Sequence, residues 1–176
     1  MLIFLFWLIG VFLLVLQTAL LPQFFSMTFT PDFVFIFIAF CAYRFSWIPG
    51  LLLSFSFGWM IDVATAVHLG FYPLEFLMIF SALKLLTTNS LVKAAVYQLP
   101  LVGVGYVCWK VCSYILRSLS HPEYFIDWSA QHLLYGSVIT LVAAIPCFAF
   151  FGQLYELLEK MKKSQRPPRR RPRKLV

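Results

Sequence analysis

The chain has 176 residues, 61% of them hydrophobic and 12% charged, with a mean hydropathy of +0.85. A water-soluble domain of this length needs a far more polar surface, so the composition excludes that class and leaves an integral membrane protein. The formal net charge of +7 belongs to the end of the chain: residues 160–176 hold nine of the 14 Lys and Arg and no acid, while the remainder has five bases against seven acids.

Six apolar stretches predict six helices. The first, about residues 2–21, stops at Pro22. It has no positive n-region and no small-x-small cleavage site, and it stays apolar for about 20 residues, which points to a span and not to a removed signal peptide. Thr30-Pro31-Asp32 opens the second, 32–44, which is short for a full crossing. The third, 49–67, begins at Pro49 and ends before Gly70; the fourth, 71–87, starts on Phe71-Tyr72-Pro73. The fifth covers 94–116 and the sixth 132–158, with Pro100 and Pro146 inside them and expected to bend them. Between these two, Ser120-His121-Pro122-Glu123 matches a capping box, and Tyr124, Phe125 and Trp128 suit either an interfacial helix or, the simpler reading, an aromatic belt. The expected fold is an all-α bundle of six transmembrane helices over residues 1–159, followed by a basic tail, 160–176. Its three prolines and like charges predict disorder.

Lys and Arg placement sets the expected orientation. With the tail in the cytoplasm, six spans put the N-terminus there too. Arg44, Lys84 and Lys93 then join the tail on the inner side, and the outer side keeps only Arg117 and, just inside the membrane, Lys110.

Little in the chain points to catalysis. There is no Ser/His/Asp order, phosphate loop or metal spacing, so neither an enzyme nor a resident cofactor is expected. Cys108 and Cys112 share a helix face at i, i+4, open to a metal or a redox pair, but small apolar packing is the simpler reading for all four cysteines. His68, His121 and His132 fall at expected helix ends without ligand spacing.

The chemistry concentrates in the third helix. Gly50, Ser54, Gly58, Asp62 and Ala66 recur every four residues, a stripe of small side chains with one acid in it. Such stripes let backbones approach closely in lipid, so Asp62 should face the bundle interior. At 1.5 Å per residue Asp62 stands ~20 Å above the inner face of a ~30 Å core, and Lys110 ~24 Å. Glu75 lies within a turn of the outer face, with Asp32 above. The expectation is that Asp62, Glu75 and Lys110 approach one another. Two roles remain open: a charge pair that sets helix register, or an outward polar cavity for a ligand or partner.

Residues 31–86, about a third of the chain, resemble MreD, the rod-shape-determining membrane protein family of bacteria. The resemblance is carried by TPDFVFIFIAF opening the second helix, then Gly58-Trp59-Met60-Ile61-Asp62, then His68-Leu69-Gly70. As a pattern this is Pro-(Asp/Asn) before an apolar helix, then G-x-x-x-D-x7-G into the next span. The stretch Ala64-Thr65-Ala66-Val67-His68 is more apolar than the turn the family often carries there. The resemblance implies a non-enzymatic scaffold of the cell-wall elongation machinery in the bacterial cytoplasmic membrane. The implied partners are MreC above all, then MreB, RodA and the elongation transpeptidase. The family's fold is also similar to the substrate-binding subunits of energy-coupling-factor vitamin transporters, which supplies an alternative: a vitamin or metal transporter subunit with an outward cavity. A vitamin site needs several convergent polar groups, and the outer half has few.

The tail invites a third set of expectations. Arg166, Arg169, Arg170, Arg171, Arg173 and Lys174 suit anionic membrane lipids, at about 1 kcal/mol per base near the surface, or an acidic cytoplasmic partner. Nucleic acid is not expected, because no folded domain accompanies the run.

Overall fold

The computed structural model describes residues 2–20, 23, 31–65, 70–88, 98–120 and 130–164. Six helices follow in order: α1 Leu2–Val15, continued by a π-helical turn Leu16–Leu20; α2 Phe33–Arg44; α3 Trp47–Thr65; α4 Phe71–Thr88; α5 Gln98–Ser120; and α6 Ala130–Ser164. The described residues contain no strand. Among the described residues four stretches are long and apolar enough to cross a membrane: Leu2–Leu20, Trp47–Thr65, Phe71–Thr88 and Leu133–Met161. The apolar parts of the other two, Phe33–Arg44 and Pro100–Ile115, are shorter. Several long apolar helices make this a multi-pass membrane protein.

The shortest of the six helices is the centre of the bundle. Every residue from Val34 to Ala42 is at most 3% exposed. A helix that is apolar all round has no face for water or headgroups and is stable only when surrounded. α2 packs against α1, α3, α4, α5 and α6. Phenylalanines fill the space around it: Phe37 meets Phe57 of α3 and Phe151 of α6 edge-on at 5.4 and 5.6 Å, and Phe6 of α1 stacks on Phe40 at 5.8 Å. Lipid is as apolar as these rings, so their preference for each other comes from close packing and ring geometry, not from leaving water. The outward surface is apolar as well, with Ile48, Phe12 and Val138 each more than half exposed.

Both ends of α2 are closed by side chains from other helices. At its start the Gln17 side chain accepts the Val34 N–H at 3.1 Å. At its end the Lys84 ammonium of α4 donates to the carbonyls of Ala42 and Phe45 at 2.9 and 2.6 Å. Orphan helix-end groups inside a bilayer have no water to turn to, so such caps are needed there.

The expected helix ends shift by a few residues. α3 begins at Trp47, which leaves Pro49 in its first turn, where a missing N–H costs nothing. Pro100 is the third described residue of α5, and residues 94–97, where that helix is expected to begin, lie outside the described residues. Pro146 does lie inside α6, which runs through it as one helix. α6 is longer than expected at both ends. Of the connection expected over 118–131, residues 118–120 and 130–131 are helical, as are 160–164 of the tail expected to be disordered; residues 121–129, Lys93 and the tail from 165 on lie outside the described residues, as do Ala66 and His68.

Candidate functional site

The stripe on α3 is buried at Gly50, Ser54, Gly58 and Asp62, and it faces α4. At Gly50 a Cβ would collide with the Phe80 ring. Gly58 is tighter, because what surrounds it is backbone: the Cα and N of Pro73 and the carbonyl carbon of Tyr72 all lie closer than 3.0 Å to where a Cβ would stand. Only glycine lets the two chains come this close. Ser54 is fully buried between the same helices.

One turn beyond Gly58, the Asp62 carboxylate reaches the start of α4. Oδ2 accepts the N–H of Gly70, and Oδ1 accepts the N–H of Tyr72 at 3.2 Å. Gly70 has a φ of +99°, a conformation that only glycine adopts without strain. The Gly70 carbonyl then accepts the Leu74 N–H at 3.4 Å, the first bond of the helix, and Pro73 has no N–H to satisfy. The charge of Asp62 therefore sits on the positive end of the α4 dipole with its oxygens on first-turn amides. Asp62 is 1% exposed. It is a structural clasp and not an open carboxylate.

Lys110 does not join Asp62. Its ammonium pairs with Asp32 at 3.0 Å and lies over the rings of Trp109 and Tyr106, 4.5 and 5.3 Å from their centroids. The expected meeting of Asp62, Glu75 and Lys110 is thus corrected: Asp32, at the start of α2, takes the cation. Depth put these groups in one layer, but helix rotation decides who meets whom. Asp32 is the hub of this end of the bundle. It accepts the Gln17 amide at 2.8 Å and the Tyr106 hydroxyl at 2.7 Å, and its N–H donates to Thr140 at 3.4 Å. Residues from α1, α2, α5 and α6 meet on one acid. Pro31, just before it, is half-buried.

Glu75 forms the third polar station. It is 2% exposed and accepts the Trp109 indole N–H at 3.2 Å and the Ser113 hydroxyl at 2.7 Å. Trp109 thereby links two acids, holding the cation of the Asp32 pair on its face and Glu75 on its edge. Phe35 of α2 stacks on the same indole at 5.2 Å and helps to fix its orientation. Glu75 also lines a cavity of about 250 Å³ between α4 and α5. Leu83, Leu86, Leu101 and Val104 form its apolar shaft, and Cys108 and Cys112 stand on its rim. This groove ends on a carboxylate held by two donors and is open enough for a molecule to enter between α4 and α5.

Compared with family models, curated proteins and solved structures, the chain matches none of them.

Among the described residues no group of three or more His, Cys, Asp or Glu is placed to hold a metal ion. The site residues that sequence reasoning overlooked are Gln17, Lys84, Tyr106, Trp109, Ser113 and Thr140. Some left a signal. Gln17 is the one amide in the first apolar run, and Tyr106, Trp109 and Ser113 follow the i, i+3, i+7 spacing of one helix face. Lys84 carried a charge that served to orient the chain and also caps a helix. Arg166, Arg169, Arg170, Arg171, Arg173 and Lys174 lie outside the described residues.

Proposed function

We propose that the protein is a non-enzymatic scaffold of the bacterial cell-wall elongation machinery, with MreC as its principal partner and MreB, RodA and the elongation transpeptidase as neighbours. In this reading it crosses the cytoplasmic membrane six times with both termini in the cytoplasm. Asp32, Glu75 and Lys110 then stand at the outer end, and Arg44 and Lys84 at the inner end.

One observation carries the reading. The residues of the G-x-x-x-D-x7-G pattern, Gly58, Asp62 and Gly70, act together as one clasp that joins α3 to α4. A spacing that matters as a unit is stronger support for the resemblance than three separate matches, and it explains the motif by architecture and not by catalysis. With its oxygens on backbone amides, Asp62 is badly placed to act as a base or nucleophile. The cavity supports the scaffold over a vitamin-transporter subunit. Its polar groups are few, whereas a water-soluble ligand needs several converging on it.

Affinity purification of the tagged full-length chain from native membranes tests this. MreC or RodA in the eluate is the expected result. Recovery of a transporter ATPase pair with a bound vitamin overturns it in favour of the transporter.

A further inference from the structure

We infer that the groove between α4 and α5 is a lipid site: it takes one acyl chain of an amino-headed phospholipid, with the ammonium at Glu75. Four features of the groove lead there. Its lining runs from Glu75 to Leu86 on α4 and from Leu101 to Ser113 on α5, a length of about 17 Å at 1.5 Å per residue. Its volume of about 250 Å³ admits a single extended chain. A helix, about 10 Å across with its side chains, does not fit inside.

The polarity is graded along the groove's axis. The shaft is apolar, and Glu75, Trp109 and Ser113 gather at one end. A molecule with an apolar tail and a polar head matches this, whereas a uniformly apolar or uniformly polar one does not. The sign of the head follows from the acid at that end, since a carboxylate is complementary to a cation with N–H groups. The groove also exists for a visible reason. α4 spends its contacts on α3 through the Gly58–Asp62 clasp and packs far less along α5. The resulting gap would forfeit dispersion contacts on its lining if left empty, and lipid chains are always at hand to fill it.

The assignment goes beyond the scaffold reading and does not depend on it, because its test needs no partner. The full-length chain is reconstituted in vesicles of phosphatidylethanolamine and phosphatidylglycerol, with a trace of phosphatidylethanolamine bearing a photoreactive acyl chain. Crosslinks should concentrate at Met78, Ala82 and Leu86 of α4 and at Leu101 and Val104 of α5, well above equally exposed positions on α6 such as Val138 and Val142. Ala82→Phe fills the shaft and should lower the groove crosslinks roughly tenfold, while Val142→Phe leaves them unchanged. Glu75→Gln should leave the crosslink positions in place but abolish the preference for the ethanolamine head over a choline or glycerol head; this arm decides the matter if Ala82→Phe does not fold. Uniform labelling of all exposed helices overturns the inference, since it means ordinary boundary lipid. So does a groove that, in native membranes, crosslinks to another protein's helix in place of lipid.

Discussion

The carboxylate of Asp62 accepts the backbone N–H of Gly70, eight residues further on, across the turn from α3 to α4. An acid deep in an apolar run is thereby used to start the next helix. The amides at the start of α4 lack helical partners, and the Asp62 side chain, itself 1% exposed, supplies the acceptor for two of them.

The first prediction follows from that bond. Asp62→Ala strands the N–H groups of Gly70 and Tyr72 and should destabilise the protein by ~3 kcal/mol. Asp62→Asn keeps one acceptor oxygen and should cost about 1 kcal/mol. Unfolding in detergent followed by circular dichroism ranks the two variants. Equal stability of Asp62→Ala and the wild type would refute the clasp.

Gly58 gives a sharper case. Gly58→Ala drives a methyl group into the backbone of Tyr72 and Pro73, which cannot turn aside as a side chain can. Overpacking of this kind costs about 3 kcal/mol. Gly152 on α6 has nothing within 4 Å of its Cβ position, so Gly152→Ala should leave stability unchanged or raise it by up to ~1 kcal/mol through helix propensity. Melting temperatures of the two alanine variants, measured side by side, check the contrast.

The Asp32–Lys110 pair is partly accessible, with side chains 20% and 38% exposed. Lys110→Met removes the cation and leaves the carboxylate with only neutral donors, at an expected cost of about 1–2 kcal/mol, less than for a fully buried pair. Asp32→Asn in the same background should restore part of the loss. A double-mutant cycle reads the coupling directly, and a coupling of zero would mean that the pair is incidental.

Lys84 closes the other end of α2. Lys84→Met should release the carbonyls of Ala42 and Phe45 and cost about 1–2 kcal/mol. Hydrogen exchange should show faster opening in the last turn of α2 than at its buried centre. Protection that stays uniform along α2 would show that the ammonium is not acting as the cap.

Sequence alone determined the class and much of the frame. A mean hydropathy of +0.85 and repeated apolar runs specify helices in lipid, because no other backbone arrangement open to such a chain hides its polar groups. The four-residue spacing of Gly50, Ser54, Gly58 and Asp62 marked the face of α3 that turns inward, since helical periodicity is a local property. What it could not supply was the partner of each polar group. The rise per residue placed Asp62, Glu75 and Lys110 at similar depths, but depth is one coordinate of three. The rotation of each helix about its axis brought Lys110 to Asp32, turned Trp109 towards Glu75 and aimed Asp62 at a backbone. The central place of α2 was hidden for the same reason. Eleven uncharged residues and Arg44 give no sign of a preferred face, and only the five helices packed around them show that α2 is the buried centre.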